Sequence, residues 1–327
     1  RASSATYVDR YGVVQTAAND EIRLEAEGAL LDGVSTNEVL HSEEFDDGDW
    51  NKTRSSISAN AIAAPDGTMT ADKFIEDSSL DTHQLLQRPS LLANKNYTLS
   101  VFAKAAERTE IRMTVGLAAN WATVPSAFFD LANGTVLSGE GKITPLADGW
   151  YRCSITAIFG ASPDTGGLTM YTALAGNSTY QGDGSSGIYV WGVQIEALPI
   201  ISSYLPTAAA PIARAADVLS TAYAENFPGD EFSMVVNFDI PVVGKAQSSQ
   251  RYIVSVSDGT TDKRINLRWN DATPALQFQM SVGGSSETVD LGLISDGAPV
   301  RCVMVFKDDI TSIYISGVLV DTLAAPR

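Results

Sequence analysis

Apolar and polar positions alternate with a period of two along most of this chain, and no long stretch repeats every three to four residues. Successive side chains of a strand point to opposite faces, so this alternation predicts strands. Residues 97–105 are the cleanest case, with Tyr97, Leu99, Val101 and Ala103 set against Thr98, Ser100 and Lys104. Ile111, Met113, Val115 and Leu117 mark the next strand. Residues 128–131 and 135–137 flank Asn133-Gly134, a pair suited to the two positive-φ positions of a tight hairpin turn. Strands over 150–159 and 167–174 follow. The segment 187–196 stands out: Ile188 and Val190 fall on one alternation, and Tyr189, Trp191, Val193 and Ile195 on the other. Apolar groups on both sides are the mark of a central strand.

The punctuation between strands sets the domain plan. Residues 1–35 form an N-terminal extended arm, with a turn at Tyr11-Gly12, that is expected to pack on a neighbour. Residues 36–206 carry strands at roughly 10- to 20-residue spacing with no long amphipathic helix between them, which predicts a jelly-roll β-sandwich. Ala208-Ala209-Ala210-Pro211 opens a linker at 207–220, in which residues 212–219 have room for one helical turn. A second strand series starts at about 221. It runs through Phe232, Met234, Val236 and Phe238, then 252–256, 264–269, 276–280, 300–306 and 313–321, with a bend at Gly317. The fold class is therefore all-β: a jelly roll followed by a second, partial sandwich that is expected to be truncated.

Composition narrows the partners. The chain has 327 residues, enough for two domains, and 44% apolar against 19% charged residues, which suits packed cores rather than disorder. A formal net charge of −17 speaks against nucleic acid and against docking on anionic lipid. No apolar run approaches the roughly 20 residues of a membrane span, so membrane insertion is not expected. Cys153 and Cys302 each sit within an alternating strand pattern and read as buried free thiols.

Several segments, in order, resemble a family of bacteriophage virion proteins, tail-fibre or head-spike components that carry a carbohydrate-binding-type jelly roll. They are Ala5-Thr6-Tyr7-Val8-Asp9, Ser42-Glu43-Glu44-Phe45, Trp50-Asn51-Lys52-Thr53 and Ala64-Pro65-Asp66-Gly67-Thr68. Further on come residues 97–105, Asp148-Gly149-Trp150-Tyr151-Arg152-Cys153-Ser154, residues 187–196, Ser203-Tyr204-Leu205-Pro206-Thr207 and Arg214-Ala215-Ala216-Asp217-Val218. The tail, Ile313-Tyr314-Ile315-Ser316-Gly317-Val318-Leu319-Val320-Asp321, resembles a concanavalin-like lectin sandwich in a shorter and commoner motif. The resemblance implies a virion-surface protein, other virion proteins as partners and a homotrimer. It also implies a structural Ca²⁺ near the first and last strands of the jelly roll, with Glu44 and Glu196 as the residues to suspect.

Chemistry in the sequence points to binding rather than catalysis. The acidic residues form no strand-borne pair in the pattern of concanavalin-like glycosidases, and neither His41 nor His83 lies near a nucleophile motif. No enzyme activity is expected. Sugars are held by flat aromatic faces with amides, carboxylates and arginine nearby. The candidates are Trp121 in a loop, Tyr180 with Gln181 and Asp183 before the closing strand, and Trp269 beside Arg268 and Asn270. Each also has a plain structural reading, as does the acidic loop Phe45-Asp46-Asp47-Gly48-Asp49, which could offer oxygens to calcium. Trp50, Trp150 and Trp191 read as structural. The leading expectation is a non-catalytic fibre or spike segment that binds a host cell-surface polysaccharide. A purely structural anchoring or trimerisation segment and a fragment of a polysaccharide depolymerase are the alternatives.

Overall fold

The computed structural model describes residues 5–19, 21–26, 28–93, 95–116, 125–158, 167–217, 231–238, 250–257, 263–270, 275–282, 285–292, 299–307 and 310–324. Among these the fold is all-β, with a single 3₁₀ turn at Ala147–Gly149. The chain divides into two compact units, Arg1–Leu219 and Ser220–Arg327.

The first unit is a sandwich of two six-stranded antiparallel sheets. One runs in the order Thr135–Gly139, Ser126–Asp130, Glu110–Val115, Leu168–Ala173, Gln84–Gln87, Asn51–Thr53. The other runs Gly141–Pro145, Trp150–Ile158, Asn96–Ala105, Gly187–Glu196, Ala71–Glu76, Ser55–Ile62. Their facing sides meet in one core, with Leu85, Ile111, Met113, Phe129 and Met170 opposite Phe74, Leu99, Val101, Cys153 and Ile155. The hairpin around Asn133-Gly134 is present, but its loop covers residues 131–134. Only Gly134 has positive φ, and Asp130 closes the loop by accepting the Ala132 and Asn133 amides.

The strand Gly187–Glu196 departs from simple alternation. Its pairing with Asn96–Ala105 slips between Ser100 and Phe102, opposite Gln194 and Trp191, and Gly192 sits at φ 60. One extra residue on one strand reverses the alternation beyond it. Val193 and Ile195 therefore join Ile188 and Val190 in the main core, rather than lying on the opposite side. Gln194 and Glu196 turn with Trp191 toward the outer face of the sheet.

That outer face carries Phe102, Trp150 and Trp191, which would be a large exposed apolar patch without a cover. The N-terminal segment supplies it. Ala5–Val8 and Val14–Ala17 form a hairpin that lays Val14 against Phe102, Trp150, Trp191 and Tyr204 in a second small core. Backbone bonds from Val14 N to Pro65 O (3.0 Å) and from Ala147 N to Gly12 O (3.0 Å) fix it in place. The arm thus folds back onto its own sandwich. The start of the segment with room for a helical turn is extended: Ile212–Arg214 pairs antiparallel with Ser35–Asn37.

Among its described residues the second unit holds two four-stranded antiparallel sheets, in the orders Phe232–Phe238, Val300–Lys307, Ile310–Ile315, Val318–Ala324 and Gln250–Ser257, Lys263–Asn270, Ala275–Val282, Ser285–Gly292. Leu267, Trp269, Leu276, Phe278 and Met280 from one meet Val300, Cys302, Met304, Phe306 and Ile313 from the other.

Candidate ligand cavity

Where the hairpin crosses the outer face of its sheet, a cavity of about 440 Å³ remains. Alternation along Trp150–Ile158 sends Cys153 and Ile155 to the main core and Arg152 outward into this space. Arg152 is 7% exposed. Its Nη1 donates to Ser202 O (2.8 Å), its Nη2 to Ser100 Oγ (3.0 Å), and the guanidinium lies 5.1 Å over the Phe102 ring. Its Nε is buried with no hydrogen-bond partner. Burial pushes the guanidinium pKa below its ordinary value, against the opposing fields of Glu196 and Asp32. Apolar walls come from Val8, Leu30 and Leu146, and Lys142, Thr144 and Glu25 add polar groups. Glu25 accepts the Val8 amide (3.1 Å), and its burial raises its pKa.

Behind the cavity lies a buried ionic network that ties the two edges of the first unit. Arg23 pairs with Asp32 (2.7 Å) and with Asp217, and Arg214 approaches Asp32 at 3.3 Å. Burial would raise the Asp32 carboxyl, but Arg214, Ser203 and Arg23 outweigh it and hold the pKa low. Arg152 differs from these two arginines. Among the described residues it has no carboxylate at ion-pair distance.

The structure places the described members of the expected site away from this cavity. Trp121 lies outside the described residues. Tyr180 is 8% exposed, and its hydroxyl donates to Glu76 Oε2 (2.5 Å) and meets Thr172 Oγ1 (2.7 Å), so it offers no open aromatic face. Glu76 also receives Arg108 Nε (2.8 Å) and the Asp183 amide (2.9 Å). Asp183 binds the amides of Ser185 and Ser186 as well as their hydroxyls, which holds its pKa far below the ordinary range, the Ser186 hydroxyl contributing most. Gln181 donates its side-chain amide to Ser78 O. Tyr180, Gln181 and Asp183 thus build a structural knot around a buried carboxylate rather than a sugar platform. Trp269 is 2% exposed and points into the second core, not outward beside Arg268.

Glu44 and Glu196 do not make a calcium site. Glu196 is fully buried, and its carboxylate is filled by Ser35 Oγ (2.6 Å), Gln194 Nε2 (2.8 Å), Ser202 N (2.8 Å) and Ser202 Oγ (2.5 Å). Glu44 is exposed and bonds His41 Nδ1 (2.5 Å), which raises the histidine pKa. In the same acidic loop, ligand atoms of His41, Asp47 and Asp49 lie within 4.8 Å of one another. A mixed imidazole–carboxylate set suits a transition metal better than calcium.

Sequence reasoning passed over two arrangements. The cavity residues come from five distant stretches, and although Val8, Phe102, Arg152 and Tyr204 each sat in a motif already singled out, none was read as a binding residue. In the second unit, the neighbours of Trp269 rather than Trp269 itself form a polar row. Arg268 Nη1 donates to Gln279 Oε1 (3.0 Å), Arg268 Nε to Gln277 Oε1 (3.2 Å), and Asn266 Nδ2 to Gln279 Oε1 (3.2 Å). Strict alternation against Leu267 and Trp269 was the signal that could have found it.

No protein-family model and no curated protein matches this chain. Among solved structures, it is similar to the enzymatically active domain of tailspike protein 4 of bacteriophage CBA120, at 12% identity and a TM-score of 0.31, over 49% of this chain and 21% of that one. It is also similar to the CBM22-1 and GH10 modules of Clostridium thermocellum endo-1,4-beta-D-xylanase 10B, complexed with xylohexaose, at 16% identity and a TM-score of 0.30. That match covers 51% of this chain and 28% of the other. The matches thus span only 21% and 28% of the length of these neighbours. Likenesses this distant carry no argument about ligand or activity. Among the described residues, no helix is long and apolar enough to cross a membrane.

Proposed function

We propose that this chain is a non-catalytic glycan-binding segment of a bacteriophage virion fibre or spike, and that the cavity beside Arg152 is a saccharide site. The cavity carries the reading. Ligand pockets of about 300–1,000 Å³ that are mostly apolar, with a few convergent polar groups, are the usual form of small-molecule sites. A volume of about 440 Å³ accommodates one or two sugar rings. The virion setting comes from the resemblance of residues 1–218 alone, and so do the host polysaccharide and the homotrimer.

The test is a saccharide array probed with the full chain, followed by titration of any hit against Thr144→Trp, which fills the cavity from its half-buried wall. Selective binding that Thr144→Trp abolishes, with unchanged circular dichroism, supports the site. Absence of any saccharide binding by the folded chain overturns the reading and leaves structural anchoring in its place. New reducing ends released from a bound polymer would overturn the non-catalytic part and favour a depolymerase.

A further inference from the structure

The charge at the cavity says more about its ligand than its size does. Three arginines are buried in this part of the first unit. Arg23 and Arg214 have Asp32 and Asp217 to face, at ion-pair distance. Arg152 faces a carbonyl, a serine hydroxyl and an aromatic ring, with Nε unpartnered as it also is in Arg214, and its counter-charges Glu196, Asp32 and Glu25 act only through space. A buried cation without a direct anionic partner is costly, and a ligand that brings the anion recovers part of that cost.

The remaining charged groups on the cavity wall decide the sign. Asp9 is occupied by the amides of Tyr11 and Val13 and the Gln15 side chain. Asp32 is occupied by Arg23 and Ser203. Arg10 lies over the Tyr11 ring at 5.0 Å. Asp9 and Arg10 keep their charges and cancel each other, and Asp32 is matched by Arg23, so Arg152 and the Lys142 ammonium stand against Glu25 on the wall. On the wall the balance is positive by one charge, with the buried Glu196 carboxylate behind Arg152, in a chain whose net charge is −17. The apolar walls exclude a small, fully hydrated inorganic anion as the best fit, and the volume calls for a ring-sized body. The Thr144 hydroxyl and the edge of Glu25 can meet ring hydroxyls.

We infer that the saccharide taken by this cavity is an acidic one: a hexuronate unit whose carboxylate faces Arg152 and Lys142 and whose ring lies against the apolar wall. The inference rests on the reading of the cavity as a saccharide site and adds the charge of the sugar. A free hexuronate and a hexuronate at the end of a polysaccharide share this chemistry.

The experiment is a titration of the full chain, by ligand-observed NMR, with glucuronate, galacturonate, the oligomeric uronate, glucose and benzoate. The expected result is that a uronate binds and that glucose binds at least about tenfold more weakly, the scale of one charge-assisted hydrogen bond. Arg152→Gln is expected to weaken the uronate by about tenfold or more and Lys142→Ala by a smaller factor, and each to weaken glucose less than it weakens the uronate. Lys142 is exposed on an edge strand, so its variant keeps the test alive if Arg152→Gln fails to fold. Glu25→Gln is expected to tighten the uronate by removing a like charge while keeping the acceptor for the Val8 amide. An oligomer that binds while the free monosaccharide does not identifies a chain-end site and supports the inference. Equal binding of glucose and glucuronate overturns the acidic assignment while sparing the saccharide site. Equal binding of benzoate and glucuronate, or no binding of any saccharide, overturns both.

Discussion

Replacing Gly192 by alanine tests whether the bulge in the strand Gly187–Glu196 holds the two cores in register. Two penalties apply. At φ 60 the residue is in the left-handed region, which costs an L-amino acid roughly 1–2 kcal/mol. The added Cβ would also sit 2.9 Å from Phe102 Cδ2 and 3.1 Å from Tyr204 Cζ. Those rings cannot swing clear: Phe102, Trp191 and Tyr204 pack on one another at centroid distances of 5.0–5.7 Å, all within 2% exposure. Overpacking a closed core typically adds about 1–3 kcal/mol. The expected loss is therefore about 2–5 kcal/mol from the first unit. Gly67 is the control, because at φ 84 it has nothing within 4 Å of its virtual Cβ and Gly67→Ala should show the backbone penalty alone. The assay is urea unfolding followed by tryptophan fluorescence in a Trp269→Phe background, which confines the described reporters to the first unit. If Gly192→Ala destabilises no more than Gly67→Ala, the bulge is not held by the aromatic cluster, and the account of the reversed alternation fails.

Other outcomes follow from single groups. Asp72 is buried with its carboxylate on the Phe45 and Asn60 amides, and burial raises its pKa to about 6. A folded value above the unfolded one means its contribution to stability is full below about 4 and is lost as pH rises through about 6. Carboxyl-carbon NMR should show a midpoint near 6, and a midpoint near 4 would refute the burial argument. Tyr180→Phe should cost about 1–2 kcal/mol in the first unit, the scale of the two lost hydrogen bonds. It should leave saccharide binding unaltered, so a binding defect at constant fold would restore Tyr180 as a contact residue. Cys153 and Cys302 are both fully buried, and burial pushes the Cys302 thiol up to about 11 and the Cys153 thiol higher still. Neither should react with a thiol reagent at pH 8 until urea unfolds its unit, and prompt modification of the native protein would contradict the packing.

The strands themselves were legible, because alternation and turn residues are local signals. Residues 97–105 and 150–158 read directly from their patterns, and so did the inward-facing Cys153 and Cys302. What alternation could not show was where it reverses. Nothing local marks Gly192 as a bulge, since its φ is imposed by Phe102 and Tyr204 closing around it from 90 residues before and 12 after. The same limit applied to the aromatics. Tyr180 looked like a loop residue by its neighbours Gln181 and Asp183, yet the buried carboxylate of Glu76, 104 positions away, draws it inward. Trp269 was a different kind of miss, since its place in the Leu267–Trp269 alternation already pointed to the core. The cavity was beyond reach of the sequence, because Glu25, Lys142, Arg152 and Ser202 meet only once the N-terminal hairpin folds over the sheet.

The network joining Arg23, Asp32, Arg214 and Asp217 also has a mechanical meaning. Asp32 N donates to Asp217 Oδ2 across 185 residues of intervening chain, and Asp217 N donates to Asp32 O. Tension that enters near residue 32 and leaves near residue 217 would pass straight across this clasp and the three-residue pairing of Ser35–Asn37 with Ile212–Arg214. The sandwich hangs beside that line as a closed loop and bears none of the load until the clasp opens. A pull along the chain would then show a small early rupture followed by the release of about 185 residues of slack, rather than gradual stretching of the sheets.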